Sequence, residues 1–121
     1  MGVDTHGWIE VAEVIGDHMT WVGVIKITPY VFPGLGRGQL RYRFYGEAEH
    51  GPPEDLSEEV RHDVSRGVMS PASILWVKIE QEKVDLWDID PIEDRWWWEL
   101  RDMVEILLHD HKAEHIRFVC W

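Results

Sequence analysis

Three histidines near the end of the chain have a spacing that could hold a metal ion. The stretch LHDHKAEH contains His109, His111 and His115. His111 and His115 are four residues apart, so on a continuous helix their imidazoles lie on one face, where they can share a cation such as zinc. A further ligand could come from the aspartates of DLWDID, residues 85–90. This pattern supports a metal-binding protein or a metal-dependent hydrolase as one hypothesis.

The same stretch departs from the motif of zinc proteases. In that motif a glutamate directly follows the first histidine, whereas Lys112 follows His111 here. His111 also falls on the apolar side of the predicted helix, where a hydrogen-bonded core histidine is the ordinary explanation. The serines lie in no nucleophile-elbow context. We therefore predict neither an enzyme nor a resident cofactor, with a divalent metal as the alternative.

The second chemical feature is the run of three tryptophans in EDRWWWEL, residues 93–100. At about 100° per residue, a helix over residues 90–112 places Trp96 and Trp97 on its apolar stripe and Trp98 about 160° away from Leu100, the middle of that stripe. An indole on the polar side, among carboxylates, can pack under a loop or anchor a partner. The predicted partner-binding residues are Trp98, Asp102, Glu105 and Trp121.

Seven segments must position these side chains. Apolar alternation predicts strands at residues 8–14, 21–27, 40–45, 73–80 and 116–121. Capping signals predict one helix from Asp55 or Ser57 to Arg66 and another from Asp90 to about Lys112. The order β-β-β-α-β-α-β indicates an α+β fold, with a mostly antiparallel sheet of about five strands and two helices packed on one face.

The charge is negative and unevenly distributed. The chain has 121 residues, enough for one compact domain over 1–121, and a formal net charge of −11. Residues 1–46 are neutral overall, whereas residues 47–114 hold nineteen acids and seven bases, a net charge of −12. A field of this sign repels nucleic acids and anionic membranes and attracts basic proteins or cations. The acids alternatively serve only to keep a tryptophan-rich protein dissolved.

Cysteine content and the first residues bear on the compartment. Cys120 is the only cysteine, so one chain can form no disulfide framework and no cysteine-based zinc site. The opening MGVDTHGW has neither the basic nor the apolar region of a secretion signal. No apolar run approaches the roughly 18 residues of a membrane span. We expect a cytoplasmic protein.

Four short words, THGWIEV, PPEDLSEEV, SPASILW and IRFVCW, spread over most of the chain. In these words the chain resembles a loose group of small bacterial and phage proteins. The resemblance implies a compact α+β fold and a phage or prophage context, and it carries no activity or catalytic residues. Acidity and size are also similar to those of anti-CRISPR proteins and of immunity proteins that cover nuclease toxins, which is an analogy of charge and size.

The leading hypothesis is a small acidic inhibitor in a bacterial cytoplasm that occupies the basic, nucleic-acid-binding surface of a partner protein. Carboxylates from residues 47–114 would stand in for phosphates. Direct nucleic-acid binding and membrane binding are not expected. The alternatives are the metal-binding protein or hydrolase described above, and a sponge that stacks a small nucleotide on tryptophan.

Overall fold

A five-stranded antiparallel sheet organises the protein. The computed structural model describes residues 6–28, 49–67, 73–79, 101–110 and 113–121. The strands are β1 (Gly7–Ile15), β2 (His18–Ile27), β3 (Glu49–His50), β4 (Leu75–Ile79) and β5 (Ile116–Cys120). They lie in the order β2-β1-β5-β4-β3, and every neighbouring pair is antiparallel. The predicted α+β class is thereby confirmed, and the last strand of the chain lies at the centre of the sheet.

The hairpin of β1 and β2 follows from its turn residues. Gly16 and Asp17 connect the strands, and Gly16 has a φ of 61°, which glycine adopts without steric cost. Both strands are longer than the sequence predicts, because they extend to the turn itself. The predicted strand at residues 40–45 lies outside the described residues.

Two helices pack on the sheet. The first, α1 (Glu58–Gly67), begins after Ser57, whose Oγ accepts a hydrogen bond from the Val60 N–H at 3.3 Å, as in an N-cap. The second, α2, is described over residues 101–110, and its last turn, Ile106–Asp110, is π-helical. Within the described residues, no helix is long and apolar enough to cross a membrane.

The two helices cover opposite faces of the sheet. On one face, here called the α2 face, Val104 of α2 packs with Ile9 and Phe118 in a buried cluster. On the other, the α1 face, Val60 of α1 packs with Val119 and neighbouring residues. The expectation of both helices on one face was therefore wrong. The physical reason lies in β5, in which the apolar residues at both odd and even positions are buried. These side chains point to opposite faces of the sheet, so each face must be covered by other residues.

Candidate functional site

A buried ion pair lies at the centre of the α1 face. Glu10 of β1 and Arg117 of β5 are register partners in adjacent strands, and the Arg117 Nε–H donates to Glu10 Oε1. Glu10 is 0% exposed and Arg117 is 2% exposed. The other carboxylate oxygen of Glu10 accepts the backbone N–H of Ser57 at 2.8 Å. One strand carboxylate thus neutralises a buried guanidinium and also fixes the start of α1.

The Arg117 guanidinium also binds Asp55, which lies nearer to the surface. Arg117 Nη1 donates to Asp55 Oδ1 at 2.7 Å, and Nη2 donates to the Asp55 carbonyl at 2.9 Å. The indole N–H of Trp21 donates to Asp55 Oδ2 at 2.9 Å. The guanidinium also lies 4.0 Å from the centre of the Trp21 ring, a cation–π contact. Charged hydrogen bonds from Arg117 and the indole N–H of Trp21 therefore fix the position of Asp55.

A second anchor holds the middle of α1 on the sheet. Asp63 accepts the indole N–H of Trp8 at 2.7 Å and pairs with Lys26 Nζ at 2.9 Å. The Gly23 N–H donates to Glu59 Oε2 at 3.3 Å. A Cβ at Gly23 would stand 2.9 Å from the Trp8 ring and 3.1 Å from the Glu59 Cβ, so glycine permits the close approach of helix and sheet.

The surroundings of the two aspartates lower their pKa values. Partial burial alone would raise the pKa of Asp55, but the hydrogen bond and charge of Arg117 outweigh it and hold the pKa below 3.8. For Asp63, burial likewise raises the pKa, while hydrogen bonds from Lys26 and Trp8 and the charge of Lys26 lower it below 3.8. Both carboxylates are therefore ionised anchors of α1.

These two anchors make the stability of the protein depend on pH in acid. A carboxylate with a lowered folded-state pKa contributes stability that is present above 3.8 and is lost as the pH falls through the folded-state value. We expect the free energy of unfolding to fall steadily below about pH 5, and to fall less in Asp63→Asn than in wild type. Urea unfolding at a series of pH values, followed by tryptophan fluorescence, measures the difference.

Asp17→Asn is the matched control for this measurement. Asp17 lies in the exposed hairpin turn, away from α1, and its replacement should keep the wild-type dependence on pH. An Asp63→Asn profile that runs parallel to wild type across the acid range would contradict the anchoring role.

The anchors support a row of exposed carboxylates. Four acidic side chains in six residues are exposed, and they are here called the α1 carboxylate patch: Glu54, Asp55, Glu58 and Glu59. No lysine or arginine occurs between residues 44 and 60. Glu58 and Glu59 stand in the first turn of α1, where the helix dipole favours negative charge. Hydrogen bonds hold the carboxylates of Asp55 and Glu59, and Glu54 and Glu58 stand next to them on the same short segment.

The predicted partner-binding residues occupy two different places. Asp102 is exposed and Glu105 is half-buried on α2, whose apolar side packs on the α2 face. Trp121 is half-buried against the cluster of the α1 face, and its backbone pairs with that of His6. The side chains of Asp102 and Trp121 therefore belong to opposite sides of the sheet. Trp98 lies outside the described residues.

Two of the three histidines of the metal hypothesis, His109 and His115, are described. His109 pairs through Nε2 with Glu105 at 2.8 Å, one helical turn earlier on α2. His115 is exposed just before β5, and His111 lies outside the described residues. In the part of the chain that the structure describes, no group of three His, Cys, Asp or Glu side chains could hold a metal ion.

Sequence reasoning missed the ion pair of Glu10 and Arg117. The signal was present in the final strand, IRFVC, where apolar residues at both odd and even positions indicate that both faces of the strand are buried. In such a strand an arginine must be buried and must therefore find a carboxylate. Cys120 of the same strand is also buried.

Comparisons with known proteins give no further guide to this site. No protein-family model matches the chain, and neither a curated protein nor a solved structure is significantly similar to it.

Proposed function

We propose that this protein is a binding protein rather than an enzyme, and that it inhibits a basic, nucleic-acid-handling partner in a bacterial cytoplasm. The observation that carries the proposal is the α1 carboxylate patch, four exposed acids on a helix start that is fixed to the sheet by a buried ion pair. Its carboxylates would occupy the positions that phosphates take in the partner's cationic groove.

Preorganisation is the reason for choosing this surface over the rest of the acidic chain. A flexible acidic surface loses conformational entropy when it binds, whereas fixed carboxylates have already met that cost in folding. Asp55 is held by Arg117 and Trp21, and Glu59 by the Gly23 N–H. Long-range attraction by the net charge of −11 would accelerate encounter with a basic protein, and salt would weaken it.

This proposal moves the main contact surface from α2 to α1. Two of the residues predicted from sequence, Asp102 and Glu105, would form a second surface on α2, where Glu105 pairs with His109. The His109 side chain is 63% exposed, whereas the Arg117 side chain that holds Asp55 is 2% exposed. The α2 surface is therefore the comparison arm of the test below.

We expect Glu54→Gln/Glu58→Gln to weaken partner binding about tenfold or more, because each removed charge costs about 1 kcal/mol of attraction near water. Both side chains are exposed, so the fold should be preserved. The measurement is a tagged pull-down from nuclease-treated bacterial lysate at low and moderate salt, read by mass spectrometry, followed by affinity titration of the recovered protein with each variant.

Two further variants make this result specific. Asp17→Asn/Glu114→Gln removes the same charge from sites away from α1 and should leave binding within about twofold, the change expected from the net charge alone. Asp102→Asn/Glu105→Gln tests the α2 surface. If the α2 variant loses binding and the α1 variant keeps it, the partner uses the surface predicted from sequence, and the α1 proposal fails. Recovery of no basic protein at low salt would overturn the inhibitor class itself.

A further inference from the structure

A cavity of about 780 Å³ opens on the α2 face, between the β1–β2 hairpin and α2. This volume lies within the range of roughly 300–1,000 Å³ that is usual for small-molecule sites. Six apolar residues make up half of its twelve described lining residues: Val11, Val22, Ile25, Met103, Leu107 and Ala113. The π-helical turn Ile106–Asp110 borders it, and such turns are frequent at functional sites.

The mouth of the cavity exposes apolar surface that the fold does not cover. Val24 and Ile106 line it and are 44% and 48% exposed. They are two of the five large hydrophobic side chains that are exposed in the described part of the chain. An apolar occupant would remove this surface from water, with a gain of roughly 25 cal/mol for each Å² covered.

Two carboxylates give the cavity a negative charge. Glu13 and Glu114 both line it, and both are exposed. The Ala12 N–H donates to the His115 carbonyl at 3.0 Å, one step beyond the last register pair of β1 and β5. The next residues along the two antiparallel segments are Glu13 and Glu114, so two like charges lie side by side at the mouth of the cavity. Such a pair is unfavourable unless a cation lies near it.

We propose that this cavity binds a small apolar molecule that carries one ammonium group. The apolar lining would take the hydrocarbon part, and Glu13 and Glu114 would hold the ammonium at the mouth. None of the described residues that line the cavity is a lysine or an arginine, so an anionic head group would meet only repulsion there. The site lies on the opposite sheet face from the α1 carboxylate patch and is independent of the proposed partner binding.

Three probes with the same eight-carbon chain test the proposal: n-octylammonium, 1-octanol and octanoate. Isothermal titration should show octylammonium binding with one molecule per chain and octanoate binding at least tenfold more weakly. Octylammonium should also raise the melting temperature at saturation, because it binds only the folded chain. If octanoate binds as tightly as octylammonium, or if octylammonium does not bind, the proposal is overturned.

Variants at the mouth separate charge from apolar contact. Glu13→Gln and Glu114→Gln should each weaken octylammonium about fivefold and leave 1-octanol unchanged, because only the ammonium feels the carboxylate. Glu54→Gln/Glu58→Gln removes two charges on the other sheet face and should leave octylammonium within about twofold. An equal loss in that variant would assign the attraction to the overall charge and would refute the site.

A filling substitution tests the cavity itself. Ala113→Phe places a ring inside the lining and keeps the backbone bond from the Ala113 N–H to the Leu107 carbonyl at 2.9 Å. Binding of both octylammonium and 1-octanol should be lost while the circular dichroism spectrum stays that of the wild type. Retained binding in this folded variant would place the probe elsewhere. If the variant does not fold, the comparison of octylammonium with 1-octanol in the two glutamine variants decides the question.

Discussion

Replacement of Arg117 by methionine is expected to destabilise the protein by about 3–5 kcal/mol, the range for breaking a buried ion pair by removing one partner. Glu10 is 0% exposed and would keep a carboxylate without its counter-charge, and Asp55 would lose two hydrogen bonds from the guanidinium. Since domains of this size are stable by only about 5–15 kcal/mol, the variant should lose a large part of its stability. Urea denaturation followed by tryptophan fluorescence measures it.

Lys78→Met is the matched control for this substitution. Lys78 is the register partner of Arg117 on β4, but its side chain is exposed, so its replacement should change stability by no more than about 0.5 kcal/mol. The double variant Glu10→Met/Arg117→Met should be less unstable than the sum of its two single variants, because neither charge is then left alone. Additive losses would show that the two groups are not energetically coupled and would refute the ion-pair argument.

Four of the five described strands, namely β1, β2, β4 and β5, and the helix α1 were predictable because local chemistry specifies them. Alternating apolar residues define β1 and β2, the glycine at position 16 permits their turn, and Ser57 is placed to cap α1. The apolar stripe predicted for the second helix is also confirmed where α2 is described, since Val104 is fully buried and Met103, Leu107 and Leu108 pack against the same cluster. Each of these features depends on neighbours within a few residues.

The surface that the helices leave for function was not predictable in the same way. The ion pair of Glu10 and Arg117 joins residues that are 107 positions apart, and the contact of Asp55 with Arg117 spans 62 positions. Only the strand order, with β5 between β1 and β4, brings these groups together. With both helices expected on one face, the other face of the sheet was predicted to be exposed to solvent. A buried ion pair under the α1 carboxylate patch was therefore not expected.

Phe118→Ala is the other substitution with a large expected cost, about 3–5 kcal/mol, because it removes a fully buried ring from the central strand. Phe118 stands opposite Ile9 on one side and Val77 on the other. A Cβ at Gly7 would meet the Phe118 ring at 2.8 Å, so the ring already lies directly against the β1 backbone.

Because the Phe118 ring is fully buried against β1, the expected destabilisation lies in the upper part of this range of about 3–5 kcal/mol. The backbone of β1 is paired on both sides, by β2 and by β5, and cannot move inward to fill the void that alanine leaves. Ile15→Ala is the control, since Ile15 is 71% exposed at the hairpin and should cost about 0.5 kcal/mol or less. Chemical denaturation of both variants measures the difference. A cost for Phe118→Ala as small as that of Ile15→Ala would mean that the centre of the α2 face is not a close-packed core, and the cavity beside it would then lose its fixed walls.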